Sequence, residues 1–243
     1  MSEDQPEALA ENRKYEVVLR HIENGILDGS YRSGSLLPPE RDLAAALNVG
    51  RSAVREALRV LQTQGLIESS AGRGGGTRVV SAQGDALARI FRLHLAVAGK
   101  GLTDLIETRV ALERVSAAAA AQSASPATIA NLQAVLDEMR QADHVEAFNP
   151  LDTLFHVLVA RAGRNDLVAD LTVAIREAVR RPILVSSQNM DDWHTFKLRL
   201  CREHEAILEA IAASNPTAAA DRMESHIRGA HVDLTAVGMQ NPL

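Results

Sequence analysis

Asp152 and His156 stand four residues apart in the apolar stretch PLDTLFHVLVARAG, which sets a carboxylate and an imidazole on one face of a helix. Two such groups can begin a site for a divalent metal ion, but other helices must complete it. His204 in CREHEAILEAI and His226 in RMESHIRGAHV also occur in helical apolar patterns. One carboxylate and three imidazoles meeting in a helical interior would suit Zn, Ni, Mn or Fe, with water or a ligand oxygen in the open positions. The alternative for any one histidine is a surface or hydrogen-bonded residue, which is how His21, His94, His144, His194 and His231 are read. Cys201, three residues before His204, reads as a small buried thiol. An open metal can also activate water, so a metal-dependent enzyme acting on a small carboxylate is the alternative function. Glu203 and Glu205 flank His204 and point off its face, and no dedicated general base is read.

A second set of residues suits nucleic acid. In RSAVREALRVLQTQG, a helical step of about 100° per residue gathers Arg51, Arg55 and Arg59 in one sector and Val54, Ala57, Leu58 and Leu61 on the other side. Residues 32–80 hold seven arginines, no lysine and four acids, an excess of three positive charges in a chain whose formal charge is -5. Arginine bridges guanine O6 and N7 or holds phosphate, so Arg51 and Arg55 near a helix start suit both tasks. Arg41 suits phosphate or a base edge, and Arg73, between Gly72 and Gly74, suits the DNA backbone or minor groove. For each arginine alone the alternative is a solvated charged face.

The elements that must position these groups follow from periodicity. Tyr15, Val18, Leu19, Ile22 and Ile26 mark an amphipathic helix over 10–28, and Pro38-Pro39 precedes a short helix over 40–47. Asn48-Val49-Gly50 joins it to the arginine-bearing helix, which Gly65 stops, a helix-turn-helix arrangement. LIESSAGRGGGTRVVS then reads as a β-hairpin wing. Beyond Asp85 the expectation is helices at 85–98, 103–122, 126–142, 147–161, 165–187, 190–213 and 216–236, with boundaries at Asn149-Pro150 and Asn215-Pro216 and a kink or division at Pro182. The expected fold is therefore mainly α: a winged helix-turn-helix domain over 10–81 and an antiparallel all-helical bundle over 85–238.

Composition agrees with that reading. Of the 243 residues, 46% are hydrophobic but only 3% aromatic, so the core must come from Ala, Leu, Val and Ile. No apolar run is long enough to span a bilayer, the first residues are acidic rather than signal-like, and the single cysteine suits a reducing compartment. A cytoplasmic protein is expected.

The stretch GSYRSGSLLPPERDLAAALNVGRSAVREALRVLQTQGLIESSAGRGGGTRVV resembles the winged helix-turn-helix of the GntR family of bacterial transcription regulators, through PPERDLA, VGRSAVREALRVLQTQGLI and the wing. Departures are Ser33, Pro39 and Gly50, the last where a hydroxyl that contacts phosphate often stands. DLIETRVALERVSAAAAA, DTLFHVLVARAGRN and CREHEAILEAIAASNPTAAADRMESHI resemble the FCD effector domain of the FadR subgroup. The resemblance implies a homodimer on a palindromic double-stranded DNA operator, contacted by Arg41, Arg51, Arg55 and Gly72. It also implies a divalent metal on Asp152, His156, His204 and His226, with Arg109 facing a small carboxylate effector. An intrahelix pair with Glu113 is the alternative for Arg109.

Overall fold

The computed structural model describes residues 5–70, 72, 75–80, 87–91, 93, 94 and 102–238. The chain forms two compact units that divide between Leu87 and Ala88. In the first, α1 (Gln5–Leu27), α2 (Glu40–Ala46) and α3 (Arg51–Thr63) precede a hairpin of β1 (Ile67–Ser70) and β2 (Gly76–Val79). Val18, Ile22, Leu43, Val54, Leu61 and Ile67 bury their side chains together, so the apolar stripes read from the sequence meet in one core.

Between α2 and α3 the backbone turns at Asn48, whose φ of 52° is left-handed, a conformation asparagine tolerates better than most residues. The Val49 amide donates to Ala44 O at 3.0 Å and closes the turn. The hairpin pairs Ile67 with Val79 and Ser70 with Gly76 in antiparallel register. The segment read only as a break in periodicity adds to this sheet. Leu36 bridges Arg78, and the Leu37 amide donates to Thr77 O at 2.8 Å.

The second unit contains α4 (Leu102–Ser123), α5 (Pro126–Gln141), α6 (Val145–Ala162), α7 (Asp166–Gln188), α8 (Trp193–Ala212) and α9 (Pro216–Ala236). Short connections force neighbours to run antiparallel, and α4 lies centrally against α6, α7, α8 and α9. Helix starts are fixed by side chains that satisfy first-turn amides. Ser125, Asn165, Asp192 and Asn215 accept from Thr128, Val168, Thr195 and Ala218 N at 3.1, 3.2, 2.9 and 3.0 Å. Of the helix expected over 85–98, the described part, 87–91 with 93 and 94, is helical.

Two boundaries differ from expectation. Helix α6 begins at Val145 and runs through Pro150, and α7 remains one helix through Pro182. Proline removes one N–H from the ladder, but Phe148 and Val145 bury their side chains only if the helix starts ahead of Pro150. Packing outweighs one missing hydrogen bond.

Candidate functional site

Asp152, His156, His204 and His226 come together in the second unit, all buried, with one potential ligand atom from each within 4.8 Å of the others. Helix α6 supplies the first two residues, α8 the third and α9 the fourth. His204 Nε2 lies 3.2 Å from His156 Nε2 and 3.4 Å from Asp152 Oδ1. Phe155 packs its ring against His204, with centroids 4.6 Å apart, and closes one side of the cluster.

The surroundings hold two imidazoles with their Nε2 atoms turned inward. His156 Nδ1 pairs with Glu113, and His226 Nδ1 lies 2.8 Å from Glu203 Oε2. A carboxylate on the outer nitrogen sets tautomer and ring orientation for a metal-binding imidazole. Glu203 does point away from the His204 face, as its spacing requires, but it meets His226 on the neighbouring helix. Glu205 instead pairs with Arg140 at 2.6 Å.

Charge in this interior is balanced by two buried arginines. Arg176 on α7 pairs with Asp152, and its Nε and Nη1 have no hydrogen-bond partner among the described residues. Arg109 on α4 pairs with Glu113, and its Nη2 lies 3.5 Å from His156 Nε2. The intrahelix partner weighed for Arg109 is present, and Arg109 still lines the cavity beside the cluster.

These contacts fix protonation. Burial alone would raise the Asp152 pKa, but Arg176, followed by His156, His204 and His226, holds it far below the usual carboxylate range. His156 is held well below its ordinary value, first by burial and then by Arg176. His204 is lowered in the same way by burial and then by His226. The site at neutral pH is therefore one carboxylate with neutral imidazoles at 156 and 204, the ionisation states that ligate a divalent cation.

The donor set fits a metal on geometry as well. Two nitrogens bound at roughly 2.1 Å to one tetrahedral ion lie about 3.4 Å apart, close to the separations among His156, His204 and Asp152. Among the described residues His204 Nδ1 has no hydrogen-bond partner, so none of them places a carboxylate behind the third imidazole.

Next to the cluster, Arg109, Asp152 and His226 form part of the wall of a cavity. His231, read as an ordinary histidine, also lines it. Its pKa is lowered by burial and then by the nearby Arg109.

In the first unit α3 presents Arg51, Arg55 and Arg59 outward while Ala53, Val54, Ala57, Leu58 and Leu61 are buried. Arg55 Nε lies 2.8 Å from Glu40 Oε2, and Arg41 Nε 3.0 Å from Asp42 Oδ1, both pairs exposed. Gly50 caps α3 without a side-chain hydrogen bond. Gly72 has φ 109° with open space where a side chain would project, whereas Arg73 lies outside the described residues.

Residues 14–79 match the family model described as bacterial regulatory proteins, gntR family, and residues 104–229 match the FCD domain. The chain belongs to the GntR family of transcription regulators, with an FCD domain. It is 28% identical over 224 residues to the Glc operon transcriptional activator of Escherichia coli, covering 88% of this chain and 85% of that one. Identity to the regulator LutR of Bacillus subtilis is 30%, over 83% of this chain and 92% of that one. A solved GntR structure from Streptococcus agalactiae superposes with a TM-score of 0.57 at 27% identity, covering 88% of this chain and 98% of that one.

A GntR regulator needs an outward basic helix and a wing, which the first unit provides, and the enzymatic alternative is set aside because domains and relatives alike are transcription regulators. No described helix is long and apolar enough to cross a membrane. Glu113, Glu203 and Arg176 are the residues of the site that sequence reasoning missed. The arginine pair to Glu113 was visible as i, i+4 spacing, but nothing local indicated that Glu113 also meets His156.

Proposed function

We propose that this GntR regulator is a metabolite-responsive repressor that binds a near-palindromic operator as a homodimer and leaves it when a small organic acid binds. Residues 10–81 read the DNA, through Arg41, Arg51, Arg55 and the wing residues Gly72 and Arg73, and residues 85–238 sense the acid. Asp152, His156, His204 and His226 hold a divalent ion, one of Zn, Ni, Mn or Fe, which when bound supplies a positive centre for a carboxylate oxygen. Arg109 offers the same carboxylate a two-pronged guanidinium.

The observation that carries this reading is the convergence of four buried ligand residues beside a cavity that Arg109 lines. A cluster sealed from solvent would suit a structural ion; a cluster opening on a cavity suits an ion that meets a ligand. The acid acts by favouring one of two arrangements of the dimer, with differential affinity as the only source of the shift. A twofold protein reads two matching half-sites, hence the palindrome. The cell compartment consistent with such a role is the cytoplasm.

Gel-shift titration on the DNA upstream of its own gene tests the proposal. A retained fragment that is released by an organic acid in the presence of metal is expected. No retention with or without acids would overturn it, and tighter retention with acid would reverse the sign towards the activator role named for the Glc operon relative.

A further inference from the structure

Glu203 divides its carboxylate between two partners. Oε2 lies 2.8 Å from His226 Nδ1, and Oε1 accepts from Arg199 Nη1 at 2.6 Å. Arg199 is itself held from two further sides. Its Nη2 pairs with Asp233 on α9, and its guanidinium carbon sits 5.3 Å from the ring centre of Phe196, a residue of the cavity wall. The contacts therefore run from Asp233 on α9 across to α8 and return to α9 at His226.

The spacing on α9 admits this crossing. His226, Gly229 and Asp233 follow one another at three and four residues, which is one stripe of a helix, and Gly229 lies between the two residues that α8 contacts. A Cβ at Gly229 would stand 3.1 Å from Arg199 Nη1, tighter than an ordinary van der Waals contact. Glycine inside a helix costs stability relative to alanine, and the guanidinium passing over Gly229 gives a reason for it here. Arginine four residues ahead of glutamate is also the weaker order for a pair along one helix, because the helix dipole favours the reverse. What fixes Arg199 is tertiary: the Phe196 ring and the Asp233 carboxylate.

Resting on the metal reading above, we infer that Arg199 is a positioning residue for the ion: it locks the Glu203 carboxylate against His226 Nδ1 and so holds His226 in the tautomer and orientation that ligate. Glutamate has several side-chain torsions and Glu203 is partly exposed, so without the guanidinium its carboxylate turns to water and the imidazole loses its orienting partner. Charge alone makes the opposite demand. A cation near a metal site repels the metal, so deleting Arg199 would then tighten binding. The sign of the change separates the two roles.

Zinc affinity of the full-length protein, measured in competition with a chromogenic chelator, reads that sign. Arg199→Met is expected to weaken zinc about tenfold. Arg199→Lys recovers only part of the loss, since an ammonium keeps the charge but not the fork that spans two carboxylates. Asp233→Asn leaves Arg199 and Glu203 in place and weakens zinc by a smaller factor, whereas Arg202→Met, at an exposed arginine of the same helix, leaves it unchanged. Because Arg199 acts through Glu203, adding Arg199→Met to Glu203→Gln costs nothing more. Unchanged or tighter binding in Arg199→Met or Asp233→Asn, or losses that multiply in the double variant, would overturn the inference and leave the metal site standing. Failure of the unsubstituted protein to bind zinc would overturn both.

Discussion

His204 Nε2 and His156 Nε2 face each other at 3.2 Å, two nitrogens of which at most one can be the donor. Two lone pairs at that distance repel unless a proton or a cation lies between them. With both rings neutral, the Nε2–H tautomer of His204 supplies that proton when no metal is bound, and Asp152 adds a carboxylate oxygen 3.4 Å from His204. A divalent cation replaces that proton and uses all three groups.

Purified protein is accordingly expected to carry about one divalent ion per chain, measured by plasma mass spectrometry, and to lose it in His156→Ala or His204→Ala. Restoring metal at a thousandfold excess over its Kd should stabilise the stripped protein by roughly 4 kcal/mol in denaturant melts. Identical melts with chelator and with metal would exclude a site in this cluster.

Glu113 ties Arg109 to His156, and Glu203 supports His226 from across a helix interface. Replacing either carboxylate by the isosteric amide keeps an oxygen for the imidazole N–H but removes the charge that raises ligand basicity. Glu113→Gln and Glu203→Gln should each weaken zinc affinity by about 10–100-fold in competition with a chromogenic chelator. Glu205→Gln serves as the control, since Glu205 pairs with Arg140 instead. Equal affinity in all three variants would remove the supporting role.

How far the sequence reaches is set by the range of each contact. Asp152 and His156 are four residues apart, so helical periodicity alone places them on one face. The partners Glu113 and Arg176 lie 43 and 24 residues away from His156 and Asp152, and their contacts exist only because α4 and α7 pack on α6. No local pattern encodes that. The cavity walls are harder still, since Phe148, Trp193 and Leu234 belong to three different helices. Proline illustrates the opposite error: Pro150 and Pro182 obey a local rule that tertiary packing overrides, whereas Asn48 at the α2–α3 turn obeys a local rule that nothing opposes.

Arg176 is the cation that neutralises Asp152 inside the bundle. Removing it strands a buried carboxylate, which costs about 3–5 kcal/mol when no other positive charge replaces it. A bound ion would be such a replacement. Arg176→Met should therefore be strongly destabilising in urea melts with chelator and much less so with saturating zinc. The same cost under both conditions would show that metal and Asp152 do not interact.

The arginines of the first unit differ in what holds them, and their substitutions should differ accordingly. Arg51 begins α3 with no ion pair among the described residues, while Arg55 is drawn to Glu40 at 2.8 Å and Arg41 to Asp42 at 3.0 Å. All three are exposed, so these pairs contribute little to stability and yield readily to phosphate or a base edge. If Arg51 reads a guanine, Arg51→Ala costs about 1–3 kcal/mol on the operator and far less on unrelated DNA. If Arg41 holds phosphate, Arg41→Ala weakens both DNAs alike and lowers the salt slope by about one. Glu40→Gln should tighten binding to both, because it frees Arg55 and removes a negative charge beside it. Fluorescence anisotropy over a salt series measures all three. A uniform loss across operator and unrelated DNA for Arg51→Ala would move that residue from base recognition to backbone contact.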